Sequence, residues 1–406
     1  MRWKLSIILA VTFSMALRAF PKDTKFIVEI KANNASERSE IAQIINIDSV
    51  RDDRVFSVIN KFDFDNILKR YSEKILSWEL IGDKISTYYK DLVDEEVTVD
   101  FPKGDEAFHT YDELNLELNK LADTYSGLVE LFSLGKSIEG RDILGLKITD
   151  GEGDKPAIAY FGTHHAREHV STEIALLFAN ELLNRSASDS EIKDLLKSLE
   201  IYVVPLVNPD GAAFDITNQR YKYWRKNRRS NDNGSFGVDL NRNYAYNWGT
   251  GGSSKDPRSE IYMGKKPFSE PETEAIKNFF LAHKNITTAL SLHTYSELIL
   301  YPWSGQESPV TGKDGEIFLK MAEDMAEMNG YTPEQASDLY VASGEMCDWV
   351  YGELSVYCFT FELSPSSGYY GGFYPGASII DKVFNDNLAP MLYLAKYADN
   401  PSRVLE

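Results

Sequence analysis

Long apolar runs, cysteine and positive charge are all in short supply in this chain of 406 residues. An apolar stretch near the N-terminus, Leu5 to Leu17, covers 13 residues. That falls short of the roughly 20 needed to cross a bilayer, and no later stretch is longer, so no transmembrane helix is expected. Only two cysteines are present, Cys347 and Cys358, which excludes a disulfide-rich scaffold and a cysteine-based structural zinc site. Whether the two pair with each other is left open. Forty-three Lys and Arg face 62 Asp and Glu, a net charge of −19. An acidic surface is repelled by phosphate backbones and anionic lipids, so neither nucleic acid nor a membrane is expected as a partner. What the chain does have is 43% hydrophobic and 26% charged residues, the balance of a globular protein. Its length exceeds the roughly 250–300 residues that one core serves, so two folded units are expected.

The N-terminus reads as an address. Arg2 and Lys4 precede Leu5–Leu17, the pattern of a secretory signal peptide spanning residues 1–19. The expected product is exported, to the periplasm or outside the cell. Residues 20–103 differ in pattern from the remainder of the chain. They mix strand-like runs (Lys25 to Ile30, Arg54 to Ile59) with a helix-like run from Phe64 to Trp78 and contain no histidine. An acidic stretch from Asp91 to Asp100 leads to Phe101-Pro-Lys-Gly-Asp105, a linker signal. A small α+β unit followed by an exposed linker has the form of a cleavable pro-segment; a permanent accessory domain is the other reading.

Residues 104–406 read as α/β. Pro156 to Gly162, Leu199 to Asn208, Thr288 to His293 and Val356 to Leu363 are apolar runs suited to buried strands. Ser171 to Arg185 carries Ile174, Leu177, Phe178 and Leu182 on one helical stripe, and Ser269-Glu-Pro-Glu272 has the form of a capping box opening another helix. The expected fold is a mixed, mostly parallel central sheet with helices on both faces. Functional residues in such a sheet collect beyond the strand ends, where His165, His293 and Glu362 fall.

Of six histidines, His165 stands in His165-Ala-Arg-Glu168, a spacing that can bring an imidazole and a carboxylate to one metal ion. Chance supplies about one such His-x-x-acid match in a chain of this composition, so the motif needs support. His293 and Glu362, each ending a strand, supply it. Two imidazoles and one carboxylate leave a fourth position open on zinc, as in a catalytic site.

From about residue 106 to 400 the chain resembles zinc metallocarboxypeptidases of the pancreatic A/B type, the funnelin group. The resemblance rests on His165-Ala-Arg-Glu168, Tyr223 to Arg228, Gly237-Val-Asp-Leu-Asn-Arg-Asn243, Pro267 to Glu272, His293-Thr-Tyr295, Tyr340 to Gly344 with Asp348-Trp349, and Phe359 to Leu363. It implies one Zn2+ per chain held by His165, Glu168 and His293, with Glu362 as general base and Arg225 facing the oxyanion. Asn241, Arg242 and Tyr340 would hold the substrate's free α-carboxylate, and Arg167 and Tyr295 would line the next subsite. Asp239 would orient His165. It also implies a ferredoxin-like, open-sandwich pro-segment that acts as an intramolecular inhibitor, a monomeric enzyme, and a peptide or protein C-terminus as substrate. His164, His169, His109 and His283 are expected not to bind metal. In the run Arg220 to Arg229, which holds six cations, only Arg225 is expected to act; the rest read as a solvated loop.

The pocket for the terminal side chain would lie between Tyr340 and Glu362. Cys347 stands there as a neutral thiol and favours hydrophobic or aromatic chain ends, while Glu345, if it faces inward, could pair with a basic one. Two other readings share the metal triad. A zinc amidase acting on cell-wall peptides is disfavoured by Asn241, Arg242 and Tyr340, and a catalytically inactive binding protein is disfavoured because no ligand or base is missing.

Overall fold

The computed structural model describes residues 24–81 and 97–406. The expected signal peptide and most of the acidic linker lie outside the described residues. The first unit runs β1 (Lys25–Lys31), α1 (Ala35–Ala42), β2 (Ser49–Arg51), β3 (Arg54–Asn60), α2 (Lys61–Tyr71) and β4 (Ile75–Ile81). Its strands form an antiparallel sheet in the order β2-β3-β1-β4, the ferredoxin-like βαββαβ arrangement. Phe26, Val28 and Ile30 alternate along β1 and are fully buried; they join Ile41 of α1 and Phe64 and Ile67 of α2 in one core. Asn34 and Asn60 start the two helices by accepting from the backbone N–H groups of Glu37 and Asp63.

The helix expected over Phe64–Trp78 stops at Tyr71. Trp78 belongs to β4, directly opposite Val28 of β1, and packs on Phe26 and Phe64. Sheet closure overrides the local pattern, since β1 would otherwise expose a bare edge.

The second unit contains α3 (Tyr111–Thr124), β5 (Val129–Lys136), β6 (Asp142–Ile148), β7 (Ala157–Gly162), α4 (His169–Arg185), α5 (Ser190–Ser198), β8 (Glu200–Val204), α6 (Pro209–Asp215), α7 (Pro271–Ala282), β9 (Ile286–Thr294), β10 (Leu298–Tyr301), α8 (Gly312–Asn329), β11 (Thr332–Gln335), α9 (Ala336–Leu339), α10 (Met346–Leu354), β12 (Tyr357–Leu363) and α11 (Ile380–Lys396). One eight-stranded sheet has the order β11-β10-β12-β9-β7-β8-β6-β5. Its middle, β12-β9-β7-β8, is parallel, and antiparallel pairs flank it on both sides. All six residues of β7 are buried. Ile158 and Tyr160 enter one core, with α4, α8 and α11, whereas Ala157, Ala159 and Phe161 enter the other, with α7 and α10. Alternation along one strand thus feeds two hydrophobic layers.

Helix α7 does not use the expected capping box. It begins at Pro271 with Glu270 at its N-cap and no side-chain cap hydrogen bond. Glu272 instead accepts from the backbone N–H of Ile138 and from Asn227, while Glu270 takes Asn227 and Arg229. Both carboxylates are buried and are committed to these long-range partners.

The two units touch along the carboxyl ends of the central strands. Lys25 pairs with the buried Glu260, and Asp63 accepts from the Glu260 backbone N–H at 2.8 Å. Arg38 donates to the carbonyls of Leu339 and Asp338, both at 2.6 Å.

Candidate active site

β7, β9 and β12 are neighbours and parallel, so their carboxyl ends emerge together; the register sets Glu362 beside His293. Gly162 ends β7, where a Cβ would collide with the carbonyls of Pro205 and Ser171. Thr163 follows in the left-handed region (φ 54°), a strained setting for a β-branched residue. Its hydroxyl is fixed by Ser171 (2.8 Å) and Thr172 (2.6 Å) at the start of α4. This turn aims His165 toward the end of β9.

There His165 Nδ1 lies 2.8 Å from Glu168 Oε1, His293 Nδ1 lies 2.9 Å from Glu168 Oε2, and the two imidazole nitrogens face each other at 3.1 Å. All three residues are buried, and theirs is the one group of three or more His, Cys, Asp or Glu able to share a metal ion among the described residues. Two imidazoles meeting nitrogen to nitrogen beside a carboxylate make poor hydrogen-bond partners for each other but a suitable nitrogen–oxygen donor set for zinc. The outer nitrogens are also held: His165 Nε2 by Asp239 Oδ1 at 3.2 Å and His293 Nε2 by Ser291 Oγ at 3.0 Å. Such contacts orient metal-binding rings. Ser291 was not foreseen, although its position two residues before His293 places both on one face of β9.

Arg225 donates from Nε to Asp239 Oδ2 at 2.9 Å, so Asp239 ties the cation to the His165 ring. Burial opposes ionisation of Asp239, but Arg225 and His165 hold its carboxyl well below the usual range. Glu168 is likewise disfavoured by burial and pulled down by His165 and His293. Glu362 is half-buried; desolvation first, then the charge of Glu168, push its carboxyl well up. A divalent cation bound at the cluster would oppose that rise.

His165, Glu168, His293, Arg225 and Glu362 share a cleft with Asn241, Arg242, Tyr340 and Glu345. Arg242 is almost fully buried, its Nε on the Gly252 carbonyl (2.9 Å) and Nη1 on the Asn241 carbonyl (2.7 Å). Asn241 Oδ1 accepts from the Met346 N–H at 3.0 Å. Arg167 and Tyr295 lie apart from this group, under Phe373: the guanidinium is 4.0 Å from the Phe373 ring and the phenol ring 4.9 Å. Phe373 carried no motif, and only the fold brings it here.

The first unit also enters the cleft. Asn46, Ile47 and Asp48 line it; Asp48 accepts from Arg167 at 2.6 Å, both side chains fully buried, and Tyr340 donates to the Ile47 carbonyl at 3.2 Å. No signal in the sequence marked Asp48.

The remaining histidines have partners of their own. His164 Nε2 bonds the Tyr244 hydroxyl (2.9 Å), His169 pairs with Asp215 (2.9 Å), His109 with Glu173 (2.8 Å), and His283 with the Phe279 carbonyl (2.8 Å). Two expectations fail. Cys347 is no thiol: it forms a disulfide with Cys358. Nor is Arg220–Arg229 a solvated loop. Arg225 and Lys226 are buried, Arg229 clamps Glu270, and Arg228 stacks 3.6 Å over Phe214. Buried acidic and aromatic partners that are distant in sequence collect these cations.

A buried His-Glu-His cluster beside a carboxylate and an arginine-lined cleft defines a metal-dependent hydrolase site. Residues 114–390 match the model of the zinc carboxypeptidase family. The chain is 34% identical over 328 residues to a zinc carboxypeptidase of Saccharothrix mutabilis subsp. capreolus (78% of this chain, 75% of the relative). It is 36% identical over 302 residues to carboxypeptidase A2 of Rattus norvegicus (73% and 72%). The fold is that of the carboxypeptidase A from Helicoverpa armigera (TM-score 0.74, 24% identity, 93% and 98% covered). The chain belongs to the zinc carboxypeptidase family: it is a metallocarboxypeptidase, a hydrolase with one zinc ion as cofactor.

Proposed function

We propose that this protein is an exported, monomeric carboxypeptidase, made as a zymogen, that removes the last residue of peptides and proteins. His165, Glu168 and His293 hold the zinc, which supplies Lewis acidity toward water and the scissile carbonyl. Glu362 accepts the proton of the attacking water and passes it to the leaving amine. Arg225, held by Asp239, faces the oxygen on which charge develops; one such donor is worth about 2.7–4 kcal/mol of barrier. Asn241, Arg242 and Tyr340 receive the substrate's free carboxylate, and Arg167 and Tyr295 flank the preceding residue.

The observation that carries the reading is the buried Arg242 in the same cleft as the His-Glu-His cluster. An internal peptide bond brings no anion to that guanidinium, so only chain ends bind well. Comparing a peptide with its C-terminal amide tests this. The free acid should be shortened by one residue and the amide should resist; equal cleavage of both would overturn the reading.

Residues 20–103 act as the pro-segment. Asp48 on Arg167 and Ile47 on Tyr340 support this, since a substrate needs the same two side chains. Removal follows proteolysis in the linker. Export is supported by the basic head and apolar run at residues 1–19 and by the Cys347–Cys358 disulfide, a bond that persists in oxidising compartments. The preference for hydrophobic or aromatic chain ends no longer rests on a thiol. It is supported by Leu300 and Ala336 in the cleft.

A further inference from the structure

The loop from Ser364 to Gly376, between β12 and α11, borders the cleft at Tyr295. Its Phe373 lies 4.0 Å from the Arg167 guanidinium and packs edge-on against Tyr295. Its tip, the short turn Gly368–Tyr370, leaves two aromatic rings in solvent. Tyr369 is 87% exposed, the most of any large apolar side chain among the described residues, and Tyr370 is 63% exposed. The two rings meet edge to face, 5.3 Å apart at 86°. Apolar side chains exposed singly are ordinary surface. An adjacent aromatic pair beside a substrate-binding residue is not.

The loop is anchored at both ends. The Ser364 N–H donates to the Tyr331 hydroxyl at 3.0 Å, and the Tyr374 hydroxyl donates to Asp215 Oδ2 at 2.9 Å while accepting from the Tyr223 N–H at 3.0 Å. Gly371 bends the chain between them with φ +108°, where a Cβ would strike Pro375 at 2.6 Å. The tip rests on Tyr295: a Cβ on Gly368 would lie 3.2 Å from its hydroxyl, and one on Gly372 3.3 Å from its ring. Rings already fixed in this way lose little freedom when a ligand covers them.

Arg242 receives the terminal carboxylate, and Arg167 and Tyr295 flank the residue before it. A longer substrate must continue past Tyr295 into solvent. The first unit sets Ser49 and Val58 against Tyr295, yet Tyr369 and Tyr370 stay exposed with that unit in place. Tyr369 is one Cα step beyond Gly368, so its ring lies within about 12 Å of the Tyr295 hydroxyl. An extended peptide crosses that distance in about four residues. Two uncharged phenol rings offer flat apolar faces with polar tips, which suit another aromatic side chain.

We propose that Tyr369 and Tyr370 form an outer subsite for an aromatic side chain lying third to sixth from the substrate's C-terminus. This rests on the carboxypeptidase reading above and adds to it a preference in the body of the substrate.

The test uses the zinc-loaded full chain nicked in the linker. Its substrates are a blocked dipeptide ending in Phe and blocked octapeptides with the same end, otherwise Gly and Ser, carrying a second Phe at the third, fourth, fifth or sixth place from the end, or none. For the unaltered chain at least one of these placements should raise kcat/KM about tenfold over the octapeptide without it. Replacing both Tyr369 and Tyr370 with Ala should cut that gain to about twofold or less while the dipeptide rate holds within about twofold, and replacing both with Phe should keep most of the gain. The proposal is overturned if no placement helps the unaltered chain, if the gain survives the double Ala change, or if dipeptide and octapeptides slow in equal proportion, which would mark a purely structural role. It also falls if sedimentation shows the double Ala change breaking up a dimer while cleavage is unaltered, since the tyrosines would then serve a second copy of the chain. Failure to cut any of the substrates would instead defeat the carboxypeptidase reading, and this proposal with it.

Discussion

Replacing Asp48 with alanine should make the uncut chain leak activity. Asp48 and Arg167 are both fully shielded from solvent and meet at 2.6 Å. Removing one partner of a buried charge pair costs about 2–5 kcal/mol, much of it from the charge left behind. At about 1.4 kcal/mol per factor of ten, the equilibrium holding the first unit over the cleft weakens by roughly 30- to 3000-fold. The open fraction of uncut protein rises by that factor until it saturates. The remaining contacts, Lys25 with Glu260 and Arg38 with the carbonyls of Asp338 and Leu339, keep the unit attached, so activity increases without dissociation being complete. The assay is the initial rate on a blocked peptide with a free C-terminal Phe, uncut against nicked. Asp48 lies outside the catalytic unit, so once the first unit has been cut away and washed out the remaining enzyme is chemically unaltered and serves as its own folding control. If the uncut Asp48→Ala chain leaks no more than about twofold above the unaltered chain while the cut forms match, this contact does not hold the first unit over the cleft.

Glu362→Gln should retain one zinc by metal analysis and lose about 10²–10⁴-fold in kcat, since it removes the proton acceptor and leaves the donor set intact; loss of zinc would show that Glu362 helps hold the ion. Arg242→Lys should raise KM for every chain end far more than it lowers kcat, because an ammonium cannot reproduce the planar fork; unchanged steady-state constants would remove Arg242 from carboxylate binding. The grip of the first unit should loosen as pH rises from about 5 to 7. Burial raises Asp63 to about 7 at the contact with Glu260, so docking favours its protonated form and loses that contribution as pH climbs through the docked value. Glu260 is held low against its burial by Lys25 and Lys226, so its share is already constant in that window. The leak of the uncut chain, divided by the nicked enzyme's rate at each pH, should therefore increase toward pH 7; a decrease would reverse the assigned sign.

Much of the architecture was legible because it is periodic. The apolar runs at β7, β9 and β12 read as buried strands, and each ends within two residues of its expected limit. Where two local signals competed, the reading failed. Phe64 to Trp78 has helical spacing throughout, yet the free edge of β1 claimed Trp78. Ser269 to Glu272 has a cap's residues, yet Asn227, Arg229 and Ile138 claimed its carboxylates. Burial of a charge is decided by which distant partner reaches it, and one-dimensional spacing does not encode that.

The order of residues determined the donor types: two imidazoles and a carboxylate at strand ends, and arginines in the motifs around them. These follow from side-chain chemistry and run length, which need no partner. Only the tertiary structure decided that His165 Nδ1 and His293 Nδ1 meet at 3.1 Å, that Cys347 is oxidised, that Asp48 seals Arg167, and that Glu345 lies against Arg242. Each of these is a contact between segments whose separation along the chain says nothing about their distance, which parallel strand order and the docking of the first unit set.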